Sequence, residues 1–510
     1  MIKKRIVSFA ILLGLLVPPA ASAQEQYVAG SDSPQWLKDR RYNEGEGIRA
    51  GDLEIHPGVA AEFGYDSNWF LRSENQSVPA QCGPALQSAC NVDNGPPLTP
   101  PIPALQLRIS PSLYVSTLGP QRREGDLVAE SPAVAFRAGV NATYREFFGV
   151  SNDPVASQPQ NDIARQRNVG GTADLRLDIL PDRPVGGGIF ASYGRIIQPN
   201  YATADPNLSF VQDNITAGAE VVVQPGGGTL DWRFGYQLHD YLFEASQAVA
   251  FDTLSQEAFT RGRWRFRPRT ALIYDGTLDF LSYSNSDQAL KQGLVGSMPV
   301  RARIGLNGLV TERFAALLMV GWGASFEDTT VLTRQTQYDS VIGQAELKWF
   351  LTASPGIAAA TQLTLALSTI AVGYRRDFQT SYLGNYYGLD RGYLRFNYFF
   401  GGRALVTLEG GLGAIEYPLV LWGGCPAGGS CGPVDTANLN KVRHDSFTDL
   451  RADATLFGEY RLVDSFGINA TLRYTQNVSN NQILDAPNGI GVVDMSWNRF
   501  EAFLGLRWFM

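Results

Sequence analysis

From Phe500 to Met510 the chain reads Phe-Glu-Ala-Phe-Leu-Gly-Leu-Arg-Trp-Phe-Met. Phe500, Ala502, Leu504, Leu506, Trp508 and Met510 share one face at a spacing of two. The other face carries Arg499, Glu501, Gly505 and Arg507, with Phe503 and Phe509 breaking its polarity. Alternation of this period belongs to a strand with one face in an apolar medium and the other near water. Rings concentrated at the end of such a strand suit a membrane–water boundary, where aromatic residues gather. The segment therefore constrains the chain to cross a bilayer as strands.

The same period recurs from residue 53 onward, and helical periodicity is absent at any useful length. The first strand places Leu53, Ile55, Val59, Ala61, Phe63 and Tyr65 outward, with Glu54, His56 and Glu62 inward. Further strands centre near residues 111, 140, 174, 192, 218, 237, 263, 277, 305, 320, 345, 368, 394, 410, 453, 471 and 504, which makes 18. An even number returns both termini to the periplasmic side of a single-chain barrel. Long connections (66–103, 149–167, 198–213, 245–256, 284–298, 327–337, 376–386, 418–445 and 478–493) alternate with short ones such as 181–186, 224–229, 267–269, 311–313, 400–403 and 461–464. Two connections on the short side, 119–132 and 352–361, are longer than the rest. Long extracellular loops with short periplasmic turns are the asymmetry of an outer-membrane barrel. The expected fold is all-β: a transmembrane, antiparallel, up-and-down β-barrel of about 18 strands.

Composition and address agree. Lys3, Lys4 and Arg5, the apolar run Ile6 to Val17 and Ala21-Ser22-Ala23 have the three parts of a secretory signal peptide. No later stretch offers 18 continuous apolar residues, which excludes a helical membrane protein. The expected divisions are a signal peptide over 1–23, a polar periplasmic segment over 24–52 and an outer-membrane barrel over 53–510. Gly 53, Tyr 21, Trp 9 and Phe 27 suit many strands and turns with interfacial rings. Mean hydropathy is only -0.11, because half of a barrel wall is polar. A net charge of -7 gives no reason to expect nucleic acid.

Polar groups on the inner face define the candidate site. Arg261, Arg263, Arg265, Arg267 and Arg269 recur at a spacing of two, with Trp264 and Phe266 on the other register. The following strands add Asp275 and Asp279, then Arg301 and Arg303. These nine are the lumen-lining candidates. They can brace the wall as a cross-strand ion lattice, and they can set the selectivity of a transport path. The many inward acids argue against a simple anion-selective pore. No cofactor or metal is expected, because His56, His239 and His444 are scattered. Catalysis finds no support: His239-Asp240 and His444-Asp445 are adjacent and so face opposite sides of a strand, and no strained Gly-x-Ser-x-Gly turn activates Ser446. Asp66-Ser67-Asn68 could offer oxygen ligands to calcium, but a turn bonded to its own backbone is the simpler account.

Two resemblances sharpen this reading. The end of the chain resembles the C-terminal assembly signal of bacterial outer-membrane barrels, with Gly505, then Trp508, then a terminal hydrophobic residue. Met510 departs from the usual terminal Phe. That likeness implies the barrel-assembly machinery and outer-membrane lipid as partners. Trp36-Leu-Lys-Asp-Arg-Arg-Tyr42, Gly51-Asp-Leu-Glu-Ile-His-Pro-Gly58 and Gly64-Tyr-Asp-Ser-Asn68 resemble the porin-like outer-membrane barrels that accompany exopolysaccharide export genes in Gram-negative bacteria. This second resemblance implies the exit route of a secreted polysaccharide, working with a periplasmic polysaccharide-export protein. It supplies no catalytic residues. A passive porin for small solutes and a structural barrel of a surface motility or adhesion complex are the alternatives.

Cys82/Cys90 and Cys425/Cys431 are close pairs in Gly-, Pro-, Asn- and Ser-rich stretches. In an exported chain such pairs read as local disulfides. Non-reducing peptide mapping should recover Cys82–Cys90 and Cys425–Cys431, and a cross-linked peptide joining the two loops would overturn the assignment.

Overall fold

The computed structural model describes residues 47–73, 101–117, 133–150, 166–181, 183–197, 211–225, 229–246, 248–291, 294–328, 337–351, 368–382, 384–400, 403–418, 446–479 and 491–510, with Ile163 and the short segments 420–422, 442–444 and 482–485. Eighteen long strands form the wall. The first nine are β1 (Leu53–Asp66), β2 (Ala104–Thr117), β3 (Val134–Gly149), β4 (Asn168–Ile179), β5 (Val185–Ile196), β6 (Gln212–Val223), β7 (Leu230–Phe243), β8 (Thr253–Arg267) and β9 (Thr270–Tyr283). The rest are β10 (Ser297–Leu309), β11 (Phe314–Glu327), β12 (Tyr338–Phe350), β13 (Thr369–Ser381), β14 (Asn385–Phe400), β15 (Ala404–Tyr417), β16 (Phe447–Val463), β17 (Phe466–Val478) and β18 (Trp497–Phe509). Each pairs antiparallel with the next, and β1 pairs with β18 from Gly58↔Phe509 to Asp66↔Glu501, so the sheet closes. Closure removes the edges that an open sheet would present to lipid.

The alternation read from the sequence decides which face goes where. Val140, Leu318, Val341, Val372 and Leu504 point outward and are exposed, Leu412 most of all at 72%. Such a surface is stable only against hydrocarbon, and with the closed sheet it makes the chain an outer-membrane barrel. Rings gather at both borders of the outer face. Trp232, Trp264, Trp349 and Trp508 are exposed toward the short-turn end, and Phe148, Tyr193, Trp322 and Tyr374 toward the long-loop end. The strands run from twelve to seventeen residues, beyond the roughly 9–11 that a tilted strand needs to cross a bilayer, so their ends stand out of it.

Near the ends of the chain the closure has an extra piece. A short strand, Ile48–Ala50, pairs with Leu53–Ile55 of β1, below the point where β18 runs out. Gly51, at φ 64°, makes the tight turn between them. His56 Nδ1 donates to the Met510 carbonyl at 3.1 Å, and the Met510 amide donates to the Pro57 carbonyl at the same distance. Both described ends therefore lie at the short-turn rim.

Two expectations shift. A strand was expected near residue 368, but β13 starts at Thr369, and the alternating leucines before it, Leu363, Leu365 and Leu367, lie outside the described residues. The connection expected over 376–386 is instead a ladder that continues to Ser381↔Asn385. The tyrosines and polar residues of that stretch read as loop because their partners lie inside the barrel rather than in the membrane. The four cysteines and the signal sequence fall outside the described residues.

Leu412→Arg places a charge on the lipid face and should cost roughly 2–4 kcal/mol if that position lies near the bilayer midplane. The folded fraction after refolding into lipid vesicles measures it, and an unchanged fraction would show that this face does not meet lipid.

Candidate functional site: a charged lumen with a buried seam

Where β1 meets β18, the inner face carries a bonded network rather than isolated charges. Asp66 is fully buried and accepts from Arg499 Nη2 at 2.5 Å and Arg499 Nε at 3.0 Å. Gln106 Nε2 donates to Oδ2 of the same carboxylate at 2.8 Å. Arg499 also pairs with Glu501 at 3.1 Å, and Glu501 in turn meets Arg108 and Arg473, each at 3.4 Å. Four strands, β1, β2, β17 and β18, thus converge across the closure. The network is dry because chain from the long-loop end packs over it. Trp69, Phe70, Ile102, Phe147, Ile163 and Ile197 form an apolar cluster inside the barrel, and the Arg499 guanidinium lies 5.3 Å from the Trp69 ring. In such a setting charged hydrogen bonds are strong, and an unpaired member is costly.

Asp66 also explains the turn that follows β1. Its Oδ1 accepts from the Asn68 amide at 3.0 Å, while Asn68 Oδ1 accepts from the Arg72 amide at 2.9 Å. The Asp66-Ser67-Asn68 motif is therefore a side-chain-bonded turn tied to Arg499. Among the described residues no group of His, Cys, Asp and Glu is arranged to hold a metal.

Gly505 shows why the last strand needs a residue without a side chain there. It lies in register between Asn469 of β17 and Glu62 of β1. Asn469 Nδ2 donates to Glu62 Oε1 at 2.6 Å across the top of it, and a Cβ at Gly505 would stand 2.6 Å from both residues. The two phenylalanines that break the polarity of this face also find partners. The Arg108 guanidinium stacks 3.6 Å from the Phe503 ring, and Arg461 and Arg507 lie 4.9 and 5.5 Å from that of Phe509. Trp508 and Met510 are exposed on the outer face. Alternation alone could not reveal the contacts of Arg108 and Arg461, which come from β2 and β16, whereas Arg507 stands two residues from Phe509 on the same face.

The arginine row sits toward the short-turn end. Glu220, buried on β6, is bonded by Arg176 of β4, by Arg233 at 3.3 Å and by Arg261 at 3.9 Å. Asp231 holds Arg233 at 3.1 Å and Arg263 at 3.6 Å. The side chains of Arg261 and Arg263 remain 45% and 43% exposed, so each such pair contributes at most about 1 kcal/mol and leaves its guanidinium within reach of a solute. Beyond Arg263 the two-residue spacing is interrupted. Trp264 pairs with Leu272 and Arg267 with Thr270, so two residues of β8 oppose one of β9 in a bulge. Arg265 and Arg267 are exposed at this rim, and Arg269 lies in the turn, 3.8 Å from Glu312.

A third cluster faces the lumen from β9, β10 and β13. Arg303 pairs with Asp275 at 2.8 Å. Asp377, almost wholly buried, is shared by Arg301 at 3.2 Å, Arg303 at 3.6 Å and Arg375 at 2.8 Å. Asp377 falls in the stretch 376–386 that reads as a loop, and Arg375 stands just before it, so the spacing marks neither as part of the wall. Asp279 accepts from Ser255 Oγ at 2.5 Å. The His239 ring lies 3.0 Å from Thr216 Oγ1, and its neighbour Asp240, paired with the exposed Ile215, faces the other side, so the two do not come together.

No protein-family model and no curated protein matches this chain. Solved structures with a related outline are outer-membrane proteins. OpdK of Pseudomonas aeruginosa, solved with vanillate, is 11% identical over 89% of this chain and 99% of its own, with a TM-score of 0.41. OccAB4 of Acinetobacter baumannii is 9% identical over 91% and 99%, with a TM-score of 0.40. The FrpB iron transporter of Neisseria meningitidis is 7% identical over 91% and 82%, with a TM-score of 0.42. At these values the likeness adds nothing to what the residues of this chain establish.

Asp66→Ala should destabilise the barrel by about 3–5 kcal/mol, because it strands Arg499 in a dry site. Equilibrium unfolding in urea from detergent or vesicles measures this, and a loss near zero would show that water reaches the seam.

Proposed function

We propose that the chain is a passive diffusion channel of the outer membrane for small hydrophilic solutes. The observation that carries this reading is the inner face. Acids and bases pair along it within and between strands: Arg176–Asp178 at 2.6 Å on one strand, Arg303–Asp275 at 2.8 Å and Arg395–Glu409 at 2.9 Å across adjacent strands, and Arg391–Asp453 at 2.6 Å across two strands. Paired charges brace a wall around water without giving it one overriding sign. The half-exposed Arg261 and Arg263 then supply local donors for a solute that carries negative or hydrogen-bonding groups. Small size is supported by the long-loop end, where described segments turn inward. Trp69 and Phe70 cover one side, and Tyr382 packs against Phe243 and Phe251 on another. The buried rings at this end are packed against one another or beneath arginine, which suits a narrowed mouth better than an open sugar-stacking path. Polysaccharide exit with a periplasmic export protein rests on the N-terminal resemblance alone.

The purified protein in planar bilayers should conduct constitutively without any partner. Arg261→Ser/Arg263→Ser should leave the barrel folded and move the reversal potential toward cations, because two fixed positive charges leave a confined wall. A barrel that stays silent alone and conducts only after a periplasmic protein is added would favour the export reading instead.

A further inference from the structure

The tips of β13 and β14 are held by side chains and not by the wall. The ladder between β12 and β13 ends at Gly343↔Arg376, and that between β14 and β15 at Gly388↔Glu416. Between those limits β13 and β14 continue to pair with each other as far as Ser381↔Asn385. Residues 377–381 and 385–387 therefore form a two-stranded ribbon that extends beyond both flanking ladders. Gly384 and Asn385 turn its tip at φ 79° and 66°. A hairpin without flanking strands is marginally stable, so its position depends on what it rests against.

It rests on the inside of the barrel. Phe378 is fully buried, and its ring lies 4.4 Å from that of Tyr338. It also packs on the inner face of β11, where a Cβ at Gly323 would stand 2.7 Å from it. The tip reaches further. The Tyr382 ring lies 5.4 Å from Phe243 and 5.3 Å from Phe251, at the end of β7, six strands away around the wall. Asn385 Oδ1 accepts from the Val295 amide at 3.0 Å. At the base, Arg301, Arg303 and Arg375 converge on Asp377, and Arg301 also donates to the Phe378 carbonyl at 2.8 Å and lies 4.1 Å from its ring.

We propose that this ribbon is the gate of the channel, hinged where the flanking ladders stop and latched by Asp377 in its three guanidiniums. The proposal rests on the diffusion-channel reading. Swinging the ribbon outward breaks no ladder bond to β12 or β15, so the hinge is free of the cost that fixes the rest of the wall. The latch joins the ribbon to β10, and the contacts of Tyr382 and Asn385 close it against β7 and the connection before β10. Removing the Asp377 charge leaves three arginines facing one another, which favours the swung-out position.

The test uses the full barrel in planar bilayers, with folding checked by heat-modifiable migration. Asp377→Asn and Tyr382→Ala should each raise conductance, or the time spent in the open level, several-fold. A tether answers whether the ribbon moves even if Asp377→Asn fails to fold. Phe251→Cys/Tyr382→Cys, once oxidised to a disulfide, should lose most of its conductance, and a reductant should restore it, while the parent protein is indifferent to the reductant. An oxidised tether that conducts like the reduced one overturns the gate. A parent barrel that conducts under no condition overturns instead the channel reading on which the gate rests.

Discussion

A peptide group in hydrocarbon has no water to bond with, and this one constraint organises the molecule. It forces every strand to find two neighbours, so the first and last strands must meet. The closure is therefore the joint on which the rest of the wall depends, and side chains reinforce its backbone pairing. Backbone pairing from Gly58↔Phe509 to Asp66↔Glu501 makes the joint, and Asp66, Arg499, Glu501, Arg108 and Gln106 bind its inner side. Ile48–Ala50 fills the stretch of β1 that β18 does not reach. The charges at the joint survive out of water because each has a partner and because the Trp69–Phe147 cluster shields them together.

The same constraint leaves the lumen as the place where function can vary. Lipid fixes the outer face to apolar residues with aromatic borders, whereas the inner face tolerates any set of polar groups that pair with one another. Three kinds of inner site result. The seam is buried and structural. The arginine row around Glu220 and Asp231 is half-exposed and able to meet a solute. The Asp377 cluster ties the ribbon of β13 and β14 to the wall. Exposure and the number of partners, more than the identity of the charges, separate these roles.

Much of the fold was legible because the membrane simplifies the code. With water on one side and lipid on the other, spacing two is kept for whole strands, and the outward assignment of Val59, Phe63, Leu504 and Trp508 agrees with their exposure. The reading fails where the chain leaves that environment. At Trp264–Arg267 a bulge inserts one residue and interrupts the alternation. At residues 376–386 the hairpin packs inward, so Phe378 and Tyr382 serve an interior surface while the sequence around them has the polarity of a loop. Asp377 lies in that same stretch, so its role in binding three arginines is invisible to the alternation.

What the sequence determined by itself is the class of solution: strands of one period, an even count, a lipid face and a polar face, and a chain that must close. These follow from local alternation against two solvents and need no knowledge of distant contacts. Only the tertiary structure decided which charges meet. Asp66 finds Arg499 from the far end of the chain, Asp377 collects arginines from β10 and β13, and Tyr382 reaches Phe243 across the mouth. The period places a side chain on a face. Closure and the inward turn of the hairpin then fix what stands opposite it.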